Sequence, residues 1–458
     1  MKLFKRIVLS LVLAVFAFGI YYAWLAFPII TGYGAKNLCS CTMVGGRDPQ
    51  DVIANELGAF PLRLGTFSVD FTDSSASASV FGTAKRKAIY RKGLGCTLIV
   101  EADEQQIRNQ VVNLATPPRL DQDTVAWPFG DLISDTVMAG VNIDRLREVV
   151  ANAFEEPGEE PLRRTRAILV VYDGQLIAEE YADGFDRHRP QLGWSMAKSL
   201  TNAQVGVLVK HGKLSLDQAA LMNGWQDDGR NSITLNDLMH MSSGLEWEEN
   251  YAGPSGATHM LFKKKDMGLY AADRPLAHTP GEVFYYSSGT TNIISRIIRE
   301  TVGDAGYYAF PYRELFHKLG MYSLVLEPDA GGTYVGSSYA FATARDWARF
   351  GMFFLDDGVW NGERLLPEGW VAYTTKPTSG ARRGEYGAQF WLNAGGSGTP
   401  ENRFYPSIPP DLYWADGFEG QNVFILPSKR LVVVKLSQSQ GNYLDDNTFL
   451  SEVIKCLP

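Results

Sequence analysis

Gly193-Trp194-Ser195-Met196-Ala197-Lys198-Ser199 places a serine and a lysine three residues apart. Just downstream, Leu200, Ala203, Val207 and Leu208 recur at helical spacing, and Gly212 supplies a stop. The spacing predicts a helix with Ser195 at its N-terminus and Lys198 one turn on, on the same face. A serine hydroxyl is a poor nucleophile until a base takes its proton. A lysine can be that base where burial and neighbours favour its neutral form. The helix N-terminus favours an anion developing at Ser195. Ser-x-x-Lys also arises about once by chance in a chain of this length, so the pair needs company.

Two further stretches supply it. Pro280-Gly281-Glu282-Val283-Phe284-Tyr285-Tyr286-Ser287-Ser288-Gly289 reads as a turn followed by a helix carrying Ile293, Ile294, Ile297 and Ile298, capped by Ser287 or Ser288. A tyrosine just before such a start can face a cleft and relay protons; it can equally be a packing residue. Trp414-Ala415-Asp416-Gly417-Phe418-Glu419-Gly420-Gln421 reads as a loop before a strand at Val423, where glycines let backbone N–H groups approach a ligand.

Around these lie the parts of a sheet. Ala167 to Tyr172 is an apolar strand, Asp173-Gly174 a hairpin turn, and Leu176 to Tyr181 the return strand. Val423–Leu426 and Leu431–Leu436 form a second hairpin, followed by a closing helix with Phe449, Val453 and Ile454. A helix capped by Asn142 runs to Phe154. Strands at both ends of the segment with helices between them predict one antiparallel sheet completed by the two ends and flanked by a helical region.

The chain has 458 residues, 45% hydrophobic and 21% charged, with a net charge of −8. This balance excludes a disordered chain, a collagen or a coiled coil. Lys2, Lys5 and Arg6 are the charges of the first 31 residues, leaving −11 for the rest and no footprint for nucleic acid. From Ile7 to Ile30 no charge interrupts 24 residues, about 36 Å as a helix against roughly 30 Å of bilayer hydrocarbon. The flanking cations predict a cytoplasmic N-terminus and an exported body, periplasmic in a Gram-negative bacterium, with Tyr21, Tyr22 and Trp24 at the far interface. A cleaved signal peptide ending near Ala17 is the alternative to an anchor. Three segments follow: a transmembrane anchor over 1–31, a small β-rich region over 32–125, and a catalytic domain over 126–458. Thr116-Pro117-Pro118 and Trp127-Pro128 mark the linker before the last.

Cys39, Cys41, Cys96 and Cys456 agree with an oxidising compartment; Cys39 and Cys41 are too close for an easy bridge, while either could pair with Cys96. No Cys-x-x-Cys pairs or His-Glu-x-x-His motif occur among scattered histidines, so no metal is expected.

Taken together and in order, the three stretches resemble the serine β-lactamase and penicillin-binding protein superfamily, in the branch of class C β-lactamases, DD-peptidases, β-lactamase-like esterases and 6-aminohexanoate-dimer hydrolases. The resemblance covers about residues 140 to 458. Ile233-Thr234-Leu235-Asn236-Asp237-Leu238-Met239-His240-Met241-Ser242-Ser243-Gly244-Leu245, Ala344-Arg345-Asp346-Trp347-Ala348-Arg349-Phe350-Gly351 and Pro367-Glu368-Gly369-Trp370 share it. It implies a β-lactamase-like α/β (α+β) fold. By position it makes Ser195 the acylated nucleophile, Lys198 its partner and Tyr286 the tyrosine of Tyr-x-Asn/Ser, with Ser288 at the Asn position. Ser195 and Phe418 N–H groups, the latter after Gly417, would form the oxyanion hole; Trp194 either lines the pocket or simply packs. Ala415-Asp416-Gly417 replaces Lys-Thr-Gly or His-x-Gly. The run Ala-x-Gly-x-x-Gly-Gln is closest to 6-aminohexanoate-dimer hydrolase-like members.

The implied activity is a membrane-anchored serine hydrolase cleaving amides or esters of a small molecule or short peptide, without cofactor. DD-peptidase or β-lactamase-type activity and a non-catalytic tethered sensor are the alternatives. An α/β-hydrolase is disfavoured, although Gly193-Trp194-Ser195-Met196-Ala197 nearly matches its elbow. The last histidine is His317, 141 residues from the end, and no strand–helix alternation precedes Ser195.

Overall fold

The computed structural model describes residues 1–134, 138–156, 158, 162–396, 399–441 and 443–458. They divide into two units. The first gathers residues 1–110 with 247–267 and 328–332; the second holds the rest. Among the described residues six helices have ten or more residues: α1 (Lys2–Met43), α2 (Ile143–Asn152), α3 (Ala197–Lys210), α4 (Ser288–Val302), α5 (Ala344–Leu355) and α6 (Asp446–Lys455).

The first unit is a four-stranded antiparallel meander, β1 (Gly65–Asp70), β2 (Ser75–Val80), β3 (Thr83–Arg91) and β4 (Gly95–Leu98), with the C-terminal part of α1 packed on it. α1 continues past residue 31 to Met43 without a break. From Leu3 to Tyr22 its residues are exposed, and from Ile30 onward it is largely buried. Gly34 tolerates its cost inside a helix because a Cβ there would collide with the Phe67 ring. A Cys39–Cys96 disulfide joins α1 to β4. By length and composition α1 is able to cross a membrane, a property shared with signal sequences.

The second unit is built on a six-stranded, wholly antiparallel sheet in the order β12-β13-β14-β15-β5-β6. These strands are β5 (Thr165–Tyr172), β6 (Gln175–Tyr181), β12 (Trp391–Leu392), β13 (Tyr413–Gly417), β14 (Gln421–Leu426) and β15 (Leu431–Ser437). Lys435 stands opposite Ile168 and Val433 opposite Val170, so the two ends of the segment do close one sheet. A small sheet orders β7 (Gln191–Leu192), β9 (Ala340–Ala342) and β8 (Val325–Leu326); β10 (Val359–Trp360) and β11 (Glu363–Arg364) form a hairpin.

The central strands are buried on both faces, which is why β5 reads as a continuous apolar run. One face packs Ile168, Val170, Phe424, Val433 and Trp414 against Leu146 and Val150 of α2 and Phe449, Leu450 and Val453 of α6. Each such aliphatic side chain contributes about 1.5–3 kcal/mol on burial. The other face takes α5 so closely that a Cβ on Gly351 would lie within 3 Å of Val432 and Val423. The hairpin after β5 turns through Asp173 and Gly174, both at positive φ (43° and 80°).

Candidate active site

Ser195 is held by a backbone that leaves no slack. β7 pairs with β9, and the Gly193 N–H donates to Ala340 O at 2.8 Å. A Cβ on Gly193 would collide with the Trp347 indole. Trp194 then takes φ +47°, a strained conformation for a side chain of its size. Ser195 therefore sits in a 3₁₀ turn, Trp194–Met196, one step ahead of α3 rather than within it. From Ala197 to Leu208 every residue of α3 is buried. Its polar residues are matched individually: Ser199 Oγ donates to Gln389 O (2.8 Å), Thr201 Oγ1 to Gly336 O (3.2 Å), and Asn202 Nδ2 to Ala388 O (2.8 Å).

Lys198 is 1% exposed. Its Nζ donates to Ser195 Oγ at 2.9 Å, Ser288 Oγ at 3.1 Å and Ser337 O at 2.9 Å. Three acceptors match the three N–H bonds of an ammonium. Two of them are hydroxyls, which can reverse their role; the carbonyl cannot. A neutral amine would keep Ser337 O and Ser288 Oγ as acceptors and turn its lone pair toward the Ser195 hydroxyl. This geometry suits proton removal from that hydroxyl, at a distance within the reach of a general base.

Lys198 Nζ also stands over the Tyr286 ring, 4.8 Å from its centroid. That ring stacks on Trp391 (5.4 Å) and meets Tyr386 edge-on (5.7 Å). Tyr285, one residue earlier, is 47% exposed. Gly281 turns the chain at φ +84°, and Ser287, not Ser288, caps α4 by accepting from Thr290 N at 3.0 Å. That frees Ser288 for Lys198. The aromatic wall behind Tyr286 is positioned by Gln389, buried at φ +63°. Its Nε2 donates to Met239 O (2.9 Å), and its Oε1 accepts from Thr291 Oγ1 (2.8 Å).

The third wall is a strand, not the expected loop: β13 runs through Ala415 and Asp416 to Gly417 and pairs directly with β14. Gly417 passes so near the nucleophile turn that a Cβ would collide with Gly193 O. The rings of Trp194 and Phe418 meet edge-to-face at 5.8 Å. The turn that follows is clamped by Gln421, whose Nε2 donates to Phe418 O (3.2 Å) and to Ser437 O, while its Oε1 accepts from Ser437 N (3.2 Å). We expect Gly417→Ala to lower kcat by about 10²–10³-fold, the loss typical of a displaced oxyanion donor, with melting curves as the folding control. Unchanged kcat would mean the end of β13 plays no part in turnover.

Asp416 points to the opposite face from Ala415 and Gly417. Its Oδ1 accepts from Asn422 Nδ2 at 2.8 Å; Asn422 stands opposite Lys435, itself ion-paired with Asp446. No cation therefore occupies the position of the Lys-Thr-Gly lysine. Burial pushes the Asp416 carboxyl up to about 6, only partly offset by Lys435 and Asn422. A raised folded-state value means that the group's contribution to stability falls as pH rises from about 4 to about 6. Asp416→Asn should thus melt above the parent at pH 7.5, with the difference shrinking toward zero below pH 5. A difference independent of pH would reject this assignment.

Ser195, Lys198, Tyr286, Ser288, Trp194, Gly417 and Phe418 are thus brought to one place. Sequence reasoning missed Ser337, Gln389 and Trp391; the first two act through backbone or amide atoms that no motif advertises. Arg345 and Arg349, within a typical segment, are structural. Arg349 bonds Asp131 (2.6 Å) and Asp346 (2.8 Å), and Arg345 bonds Glu179 (2.6 Å). His240 is buried against Thr378 Oγ1 (2.9 Å), its pKa lowered to about 4 chiefly by desolvation, so it stays neutral. Of the four cysteines, Cys41 and Cys456 lie outside the disulfide and are buried. Cys41 is two residues round the helix from Cys39, and Cys456 lies in the α2–α6 core of the other unit.

The chain is 27% identical to the 6-aminohexanoate-dimer hydrolase of Paenarthrobacter ureafaciens over 307 residues, 60% of this chain and 72% of that protein. In fold it is similar to a putative 6-aminohexanoate-dimer hydrolase from Bacillus anthracis, at TM-score 0.54 and 22% identity over 68% of this chain and 83% of the other. A family VIII carboxylesterase also shares the fold, at TM-score 0.54 and 14% identity over 71% and 99% of the two chains. The model of the beta-lactamase family matches residues 150–452, well over half of the sequence, and the chain belongs to that family.

Proposed function

We propose that the chain is a membrane-tethered serine hydrolase that cleaves an amide or ester bond through an acyl-enzyme on Ser195. The observation that carries this is the Lys198 amine, buried and 2.9 Å from Ser195 Oγ, with its other two acceptors in place. Ser195 Oγ attacks the carbonyl carbon as its proton passes to Lys198. Backbone N–H groups of Ser195 and Phe418 hold the oxyanion. Tyr286 and Lys198 return a proton to the leaving amine or alkoxide. Water then attacks the acyl-enzyme by the same route reversed, releasing the acid and restoring Ser195.

Aromatic walls at Trp194 and Phe418 and at Tyr286 and Trp391 suit an apolar acyl or leaving group. The absence of a cation on β13 removes the partner a β-lactam carboxylate would need. The uncharged run from Ile7 to Ile30 and the cations Lys2, Lys5 and Arg6 before it support the tether and an exported, periplasmic catalytic domain. Intact-mass detection of an acyl adduct tests the reading across short esters, ω-amino amides, D-alanyl peptides and β-lactams. Short esters or linear amides should be turned over far faster than nitrocefin. Efficient nitrocefin hydrolysis would overturn the substrate class; no adduct with any of them, or with a fluorophosphonate, would leave a binding protein.

A further inference from the structure

α1 is exposed from Leu3 through Tyr22, about 30 Å of helix at 1.5 Å per residue. That length matches the hydrocarbon core of a bilayer, about 30 Å. Beyond Tyr22 the helix is covered by stages: Trp24 is still 67% exposed, and burial is largely complete from Ile30. Gly253 lies beside the Tyr22 hydroxyl, and Lys263 Nζ stands over the Trp24 ring at 5.7 Å. The tip of the β2–β3 hairpin meets the helix a little further on, at Phe27. Phe81 meets Phe27 edge-on at 6.0 Å, and Thr31 Oγ1 donates to Ala84 O at 2.6 Å. Phe27 is five residues beyond Tyr22, about 7 Å along the axis, within the headgroup layer that brings a bilayer to about 40–45 Å.

The tip has the composition of an interfacial element. Phe81 is 72% exposed at φ +50°, ahead of Gly82 at φ +73°, a tight turn that holds the ring out. Beyond its edge contact with Phe27 the ring is left open to solvent. Lys85 is exposed three residues past the turn, with Arg86 next to it. Lys263 titrates below its usual value through burial and the charges of Arg86 and Lys264, a cluster of like charges suited to phosphate. Lys264 is taken up by Glu101 (2.6 Å).

We propose that the β2–β3 hairpin tip is a second membrane contact. Phe81 enters the headgroup–acyl boundary of the leaflet that α1 leaves, and Lys85, Arg86 and Lys263 lie against lipid phosphates. This rests on the reading of α1 as a retained anchor. The opposite end of the same strand gives an internal control. Phe71, in the β1–β2 turn, is 65% exposed but about 20 Å away along β2.

The test uses the full chain in vesicles of phosphatidylcholine and phosphatidylglycerol, carrying an environment-sensitive fluorophore on Phe81→Cys or Phe71→Cys. Both positions are exposed turns, and far-ultraviolet spectra check folding. The label at 81 should shift to the blue and be quenched at least about twofold more by headgroup-depth nitroxide lipid than the label at 71, as for an interfacial side chain. If carbonate washing leaves the chain on the vesicles and the two labels behave alike, the hairpin contact is wrong and the anchor stands. If carbonate releases the chain, the anchor fails and the hairpin proposal fails with it.

Discussion

Replacing Lys198 by methionine should slow acyl-enzyme formation by about 10⁴-fold, the upper end for a positioned acid–base group, while leaving a folded protein. The side chains are close in length, so packing is nearly kept. What disappears is the donor to Ser288 Oγ and Ser337 O and the acceptor facing Ser195. The unmet buried carbonyl should cost about 1–3 kcal/mol, visible as a lower melting temperature. Lys198→Arg separates charge from proton transfer. A guanidinium keeps the positive charge and can donate, yet never offers a lone pair near neutral pH. The arginine variant should therefore be as inactive as methionine. Substantial turnover by Lys198→Arg would show that the site needs a cation there, not a base. The measurement is single-turnover acylation with a chromogenic ester.

Tyr286→Phe should cost about 10²–10⁴-fold in kcat/KM, against little for Tyr285→Phe. Removing one oxygen from Tyr286 leaves its stacking on Trp391 and Tyr386 intact, so the melting temperature should barely move. Tyr285 points outward, where a hydroxyl does nothing for the amine. Combining Tyr286→Phe with Ser195→Ala should add almost nothing to Ser195→Ala alone, because groups that act as a unit are not additive. Should Tyr285→Phe be the inactive variant, the tyrosine assignment is off by one residue.

What the sequence could reveal followed from periodicity and turn chemistry. β5 and its hairpin were legible because Asp173-Gly174, between two apolar runs, tolerates the positive φ that a tight hairpin turn needs. Asn142 was legible as a cap, and its Oδ1 does accept from Arg145 N at 3.1 Å. β2 was not. Its Ser and Ala residues have weak strand preference, and their small size serves the packing of α1 instead. The run from Trp414 to Gln421 misled for a related reason, since its glycines signal a loop although Gly417 marks where two backbones nearly touch. The Ser195–Lys198 pairing was readable from spacing; the carbonyl of Ser337 that anchors the lysine was not, because a backbone acceptor carries no residue code. Gln389 stayed hidden because an isolated glutamine at positive φ looks like any polar surface residue.

The sheet order places β15, near the C-terminus, between β14 and β5. During synthesis β5 and β6 emerge long before their neighbour exists, and an apolar strand edge from Ala167 to Val171 waits unpaired. Such edges are prone to pair with the wrong chain. The central contacts are among the most distant in sequence, which makes the last zipping step slow. A chain cut short before Leu431 keeps Ser195, Lys198, Tyr286 and Gly417, yet has no middle to its sheet. Cellular quality control would meet a polypeptide with all its chemistry and none of its closure.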